Sequence, residues 1–319
     1  MPNKVLVTGG AGFIGSEICK KLLKKKYKVT VIDNLSVGDR KKLPRKVKFI
    51  KKDILDFNSC VSACSNIDTI IHLAAKVSIR NSINTFEEDF NNNLVGTINI
   101  LKAAQKKKIK KIIFASSMAV YSKSKKKKSF KETDLLDPIS PYGISKLASE
   151  KYLMLMAPKM GIKIVILRIF NTFGPGQTYT PYVGVITIFV KNILKNKICK
   201  IFNNGKQRRD FIHVNDVAEA FILALKSKKA INNVFNIGSN KTFSIKKIYT
   251  MIKKIIKKGK YKFYPKDNTE LDYVCANINK AKKILNWRPK ITFENGVKEL
   301  LKNIHFWKHA PLWDKKSIT

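Results

Sequence analysis

Along its first 170 residues the chain alternates short apolar runs with stretches of helical periodicity. Near-continuous apolar segments at 4–8, 28–33, 48–51, 69–73, 111–116 and 163–169 predict strands buried on both faces of a parallel sheet. Between them, 16–26, 58–63, 89–106 and 142–160 carry the apolar spacing of helices. This βαβ rhythm predicts an α/β fold with a doubly wound, Rossmann-type parallel sheet. After Asn171 the rhythm breaks at Gly174-Pro175-Gly176. Helical patterns then fall at 185–195, 216–226, 245–257, 279–285 and 294–308, with strands before Gly205 and at 234–237. Residues 1–170, with about 210–238, are expected to form the Rossmann domain. Residues 171–209 and 239–319 are expected to form a smaller, discontinuous C-terminal substrate domain.

The first unit carries chemistry. Thr8-Gly9-Gly10-Ala11-Gly12-Phe13-Ile14-Gly15-Ser16 follows Val5-Leu6-Val7 and opens a helical segment. Strand, tight turn and helix start together suit a dinucleotide pyrophosphate. The glycines admit the backbone to the phosphates, and the helix offers unpaired N–H groups and a positive dipole end. Asp33, eighteen residues past Gly15, closes the second apolar run. A carboxylate there accepts from the adenosine ribose hydroxyls and repels a 2′-phosphate, so NAD is expected rather than NADP.

Pro141-Tyr142-Gly143-Ile144-Ser145-Lys146 begins another helix and sets Tyr142 and Lys146 four residues apart on one face. A phenol titrates near pH ~10, and its use as a base at neutral pH needs roughly 4 kcal/mol of preferential phenolate stabilisation. The Lys146 ammonium and the positive nicotinamide ring are the expected sources.

These motifs resemble the extended short-chain dehydrogenase/reductases, and within them the nucleotide-sugar epimerases similar to UDP-glucose 4-epimerase. The resemblance runs over essentially the whole chain. The spacing Gly9-x-x-Gly12-x-x-Gly15, with Phe13 and Ile14, looks like the extended branch. Asp33, Asn34, Ser36 and Gly38 resemble its ribose-binding loop, and Asp53-Ile54 the pair flanking adenine. Leu73, Ala74 and Ala75 resemble the strand end along the cofactor, and Asn93 the family's helical asparagine. The resemblance makes Ser117, Tyr142 and Lys146 the catalytic set. It gives Ser117, Asn171, Arg209 and Val274 substrate contacts, with Arg209 on the diphosphate and Val274 beside the sugar 2-substituent, where a small side chain leaves room for an N-acetyl group. Where relatives place a diphosphate-binding arginine, this chain has Asp267 beside Lys266. Either the lysine substitutes or the sugar nucleotide sits differently.

The implied reaction is NAD-dependent 4-epimerisation of a nucleotide-diphosphate hexose, with UDP-glucose/UDP-galactose or the N-acetyl forms as substrate. Related dehydratases and decarboxylases carry an acidic residue just after the serine position, where this chain has Met118 and Ala119. Another nucleotide-sugar dehydratase, decarboxylase, dehydrogenase or reductase is the alternative. A non-catalytic NAD- or nucleic-acid-binding protein is the remote one. The resemblance also implies a homodimer through the helices at 89–106 and 142–160, with Leu147, Leu153, Met154, Leu155 and Met156 as the apolar set.

Charge changes this picture little. The chain has 319 residues and a net charge of +42, and only seven of its 64 basic residues are arginines. The lysines are scattered rather than gathered on one motif, with a low-complexity run at 122–129, so no specific nucleic-acid partner is expected. A field this positive steers anionic ligands. No apolar run is long enough for a membrane span, and no leader pattern precedes the first strand. Five scattered cysteines without a C-x-x-C pair suit reduced thiols in the cytoplasm. No metal site is expected: His305/His309 and Cys60/Cys64 share helical spacing but lack further ligands. His72 and His213 read as packed structural histidines, and Trp287, Trp307 and Trp313 as core or domain-edge aromatics.

Overall fold

The computed structural model describes residues 4–77, 81–122, 127–177, 184–265 and 271–302. Six strands come from the first half: β1 (Lys4–Thr8), β2 (Lys28–Ile32), β3 (Lys48–Ile50), β4 (Thr69–His72), β5 (Lys111–Ser117) and β6 (Lys163–Ile169). Six more follow: β7 (Asn171–Phe173), β8 (Ile198–Phe202), β9 (Arg208–His213), β10 (Asn233–Ile237), β11 (Thr242–Ser244) and β12 (Lys260–Tyr264). The helices of the first half are α1 (Phe13–Lys24), α2 (Phe57–Ala63), α3 (Phe86–Asp89), α4 (Gly96–Lys106) and α5 (Pro141–Lys159). Those of the second are α6 (Val185–Leu194), α7 (Val214–Lys226), α8 (Ile245–Ile256), α9 (Asn279–Leu285) and α10 (Phe293–Lys302).

Seven strands form one sheet in the order β10-β6-β5-β4-β1-β2-β3, every pair parallel. Alternation along each strand divides the core between its two faces. Val5, Val7, Val31, Ile71, Ile113, Val165 and Leu167 pack with α1 and α7, whereas Leu6, Ile32, Ile70, Ile112, Phe114, Ile164 and Ile166 face α2, α4 and α5. Helices on both faces explain why the strands read as mostly apolar runs.

A third cluster gathers Phe173, Phe189, Ile201, Phe211, Ile248, Phe293 and Leu300. Around it lie two small sheets, β11-β9-β7 and the parallel pair β12-β8. The tail does not all join this cluster. Val274, Ala276, Ile278, Leu285 and Trp287 pack into the core of the large sheet instead, and Trp287 Nε1 donates to the Asp216 carbonyl at 3.0 Å.

The expected helix at 89–106 is three pieces: α3, a π-helical stretch at Phe90–Val95, and α4. The last predicted helix is described to Lys302, and its continuation, with His305, Trp307, His309 and Trp313, lies outside the described residues. So do 123–126 of the lysine-rich run and the Lys266–Asp267 position. No described helix is long and apolar enough to cross a membrane. The five cysteines are buried and unpaired.

Candidate active site

β1 ends in a turn that only glycine backbones can make. Gly9 has φ +67°, and a Cβ there would stand 2.7 Å from Ala74 N. Gly9 N donates to Ile32 O at 2.9 Å, which draws the turn against β2, and a Cβ on Gly15 would strike Gly9 O. α1 then starts at Gly12 with no side chain capping its first turn. The dipole end therefore faces outward without a competing acceptor, as an anionic ligand requires.

Asp33 is buried behind this turn. Its carboxylate accepts from Ala11 N at 2.9 Å and Leu35 N at 2.8 Å, while burial raises its pKa above the ordinary value. Asn34 Nδ2 donates to Asp53 Oδ2 at 2.7 Å, and Asn34 Oδ1 accepts from Ser36 N at 2.9 Å. Gly38 is half-buried against Ala11 and Asp33, and Ile54 is buried against Gly96. The residues expected around ribose and adenine thus form one connected rim. The uncapped helix start, the glycine cradle and the buried carboxylate fit a dinucleotide with free ribose hydroxyls.

Leu73 N and Ala74 N both donate to Thr8 Oγ1 at 3.1 Å, and Ala75 follows half-buried. Asn93 fastens the same loop from the π-helical stretch. Its Oδ1 accepts from Lys76 N at 2.9 Å, and its Nδ2 donates to Lys76 O at 3.1 Å.

Ser117, at the end of β5, accepts from Ala119 N at 3.2 Å in the turn Met118–Val120. α5 begins beside it, with Ser140 Oγ accepting from Gly143 N at 3.1 Å and Pro141 in the first turn. A Cβ on Gly143 would meet Ala119 O, so glycine alone lets the start of α5 close on that turn. The closure sets Tyr142 near enough to Ser117 for the serine to act on the phenol's titration. Burial pushes the Tyr142 phenol up to about 12; Ser117 opposes this, and the charge of Asp89 adds to it. Lys146 follows one turn further along α5. Its Nζ donates to Ala115 O at 2.9 Å and lies 4.7 Å from the Phe114 ring centroid. Burial lowers its pKa to about 8, while Asp89 and Glu150 hold it up.

The expected substrate residues are only partly gathered. Asn171 begins β7 two residues beyond Ile169, the cross-strand partner of Ser117, and its Nδ2 donates to Asp210 O at 3.1 Å. Arg209 is half-buried on β9, the neighbour of β7, with Nη1 donating to Arg208 O at 3.0 Å. Val274 is fully buried in the sheet core, its N–H donating to Arg208 O at 3.0 Å.

Two acidic groups escaped the sequence reading. Glu150 continues the Tyr142–Lys146 face by four residues and accepts from Arg168 Nη2 at 2.8 Å and Nε at 3.0 Å, and from Ser116 Oγ. Asp89 accepts from Asn93 Nδ2 at 2.5 Å and Ser145 Oγ at 3.3 Å. The helical spacings 146/150 and 89/93 were signals in plain view. Among the described residues no three His, Cys, Asp or Glu side chains gather as metal ligands do.

Comparison with known proteins gives the family. A UDP-N-acetyl-alpha-D-glucosaminuronate decarboxylase of Bacillus cytotoxicus is 34% identical over 94% of this chain and 97% of its own. A putative UDP-glucose 4-epimerase of Methanocaldococcus jannaschii is 37% identical over 93% of this chain and 97% of its own. The crystal structure of Thermus thermophilus UDP-glucose 4-epimerase in complex with NAD superposes with a TM-score of 0.89 at 31% identity, covering 97% of this chain and 100% of that one. The profile of the NAD dependent epimerase/dehydratase family matches residues 5–238, and the chain belongs to that family.

Proposed function

We propose that the protein is an NAD-dependent 4-epimerase of a nucleotide-diphosphate hexose, with UDP-hexoses as the first substrates to test. The observation that carries this is the packing of the start of α5, with Tyr142, on the turn after Ser117, where Met118 and Ala119 bring no carboxylate to the serine. The buried acids of α3 and α5 are engaged elsewhere, Glu150 with Arg168 and Asp89 with Asn93 and Ser145. Elimination and decarboxylation thus lack a free acid at the point where relatives of those classes carry one.

Tyr142 takes the proton from the sugar 4-hydroxyl, and Ser117 holds the same oxygen and passes the proton on. Lys146, buried and charged, anchors the nicotinamide ribose. Glycine turn, Asp33, Asn34 and Asp53 hold the dinucleotide, and Asn171 and Arg209 bind the sugar nucleotide. The chemistry that a bound NAD supplies is reversible hydride uptake at C4 together with a positive ring charge. Between the two transfers the 4-keto sugar turns over, so no net oxidation accumulates.

A second copy of the chain is the proposed partner. Phe86, Phe90, Tyr152 and Leu155 are exposed on α3, the π-helical stretch and α5, whereas Leu153 is turned into the core. Such a set of apolar side chains suits a contact between copies. A cytoplasmic setting accords with five buried free thiols.

The test is incubation of the full chain with UDP-glucose, UDP-GlcNAc and GDP- and dTDP-sugars, followed by NMR. Interconversion of 4-epimers without NADH accumulation supports the reading. Loss of water or carbon dioxide, or stoichiometric NADH, overturns it in favour of the dehydratase, decarboxylase or dehydrogenase alternative.

A further inference from the structure

Asp89 closes the acidic run Glu87-Glu88-Asp89, yet it is only 2% exposed while both glutamates face solvent. Its burial is organised by the catalytic helix. Ser145, the residue just before Lys146, shares its one hydroxyl proton between Asp89 Oδ1 at 3.3 Å and Tyr142 O at 3.0 Å. The other anchor, Asn93, holds the Lys76 backbone and so the loop beyond β4. One carboxylate is thereby fastened to α5 between the two residues to which the chemistry is assigned.

Several groups face this carboxylate. From α5 come Tyr142, Ser145 and Lys146; from the loop after β4 comes Lys76, which pairs with Glu88; from its own helix comes Asn93. Negative charge on Asp89 raises both the Tyr142 phenol and the Lys146 ammonium. Burial pushes Asp89 itself up to about 6, with Ser145, Lys146 and Asn93 pulling the other way.

We propose that Asp89 is a positioning residue that sets, jointly for Tyr142 and Lys146, the pH window in which the two hold the charge states the reaction uses. The assignment of those charge states rests on the epimerase reading above; the electrostatic link from Asp89 does not. Asp89 touches no reacting atom and acts through the two residues of α5. Its charge favours the Lys146 ammonium and disfavours the phenolate, so removing it moves both titrations downward.

Asp89→Asn tests this, because the amide oxygen still accepts from Ser145 and Asn93 while the charge is lost. The first readout needs no turnover. In the full chain labelled with 3-fluorotyrosine, the Tyr142 signal is identified by its loss in Tyr142→Phe and titrated by fluorine NMR. It is expected to titrate about one pH unit lower in Asp89→Asn. The second readout is kcat/KM against pH, whose acidic and alkaline limbs are both expected about one unit lower, with the maximum kept within about tenfold. A Tyr142 titration that does not move overturns the proposal. So does a uniform loss of activity at every pH, or an Asp89→Asn chain that does not fold, since either makes Asp89 structural. Asp89→Ser, which also removes the charge, must shift both readouts in the same direction. The epimerase reading fails separately, if Tyr142→Phe keeps its turnover, and leaves the fluorine titration intact as a test of the electrostatic link.

Discussion

Thr8 Oγ1 and His72 Nδ1 stand 2.6 Å apart and join the end of β1 to the end of β4. The hydrogen directions follow from the neighbours. Thr97 donates its hydroxyl to Asn93 O at 2.5 Å, so it accepts from His72 Nε2, 3.0 Å away. Nδ1 is then the bare nitrogen and receives the Thr8 proton, which leaves Thr8 Oγ1 to accept from Leu73 and Ala74. Burial, aided by the Lys146 charge, holds the His72 pKa at about 3, so the ring stays neutral as this chain of bonds demands. His72→Leu orphans the Thr8 hydroxyl and is expected to cost about 1–3 kcal/mol in urea unfolding, with weaker NAD binding by calorimetry. His72→Gln, which has one acceptor and one donor end, should recover part of both.

Gly9 and Gly161 both have positive φ, but only Gly9 is crowded. Gly161→Ala meets no atom within 4 Å and should cost about 1 kcal/mol, the strain alone. Gly9→Ala adds a clash with the Ala74 backbone, so it is expected to abolish measurable NAD binding. Calorimetric titration of both variants checks the contrast.

On the proposed mechanism, Tyr142→Phe removes the proton acceptor and leaves the ring buried. Epimerisation should fall by about 10²–10⁴-fold, with the thermal midpoint changed by only a few degrees. Ser117→Ala should fall less, because it removes the relay and not the base. Turnover rates and circular-dichroism melts of the same preparations distinguish chemistry from folding.

Arg168 of β6 and Glu150 of α5 form a buried ion pair beside Ser116, and Arg168 also donates to Tyr121 Oη at 3.0 Å and Glu132 O at 3.0 Å. Breaking one side leaves an unpaired buried charge. Arg168→Met is expected to lose about 3–5 kcal/mol by chemical denaturation, and Arg168→Met with Glu150→Leu should lose less than that single change.

His213 is buried and its pKa is lowered to about 4 by loss of hydration. Its folded value lies below the ordinary value of about 6.5, so stability is full above that pH and drains as pH falls toward 4. His213→Asn, which keeps a cap for α7, should reduce the pH slope of unfolding free energy by about 1.4 kcal/mol per pH unit across that interval. Asp89 has the opposite sign, because its folded value of about 6 is raised; Asp89→Asn should steepen the slope. Denaturant titrations at half-unit pH steps measure both.

The large sheet was legible because its strands are buried on both faces and read as unbroken apolar runs. The glycine turn was legible for a related reason: Gly9 and Gly15 sit where any Cβ strikes backbone, so composition there is dictated locally. β7 and β11, at three residues each, are too short for any alternation to register, and β12 alternates lysine with aromatics because its residues are largely exposed. The widened turn at Phe90–Val95 reflects a shift in hydrogen-bond register that composition does not encode. Asp89 looks no different from Glu87 and Glu88 in sequence, and only its neighbours in space single it out.

The strand order has one more consequence. From β1 the chain winds outward to β3, then returns past its starting point to β4 and winds the other way. At the β1–β4 seam, loops leave for opposite faces of the sheet and a crevice opens at the carboxyl ends. The winding alone creates this topological switch point, before any side chain is chosen. Relatives that bear the names of an epimerase and a decarboxylase can therefore share the place of reaction while differing in what lines it.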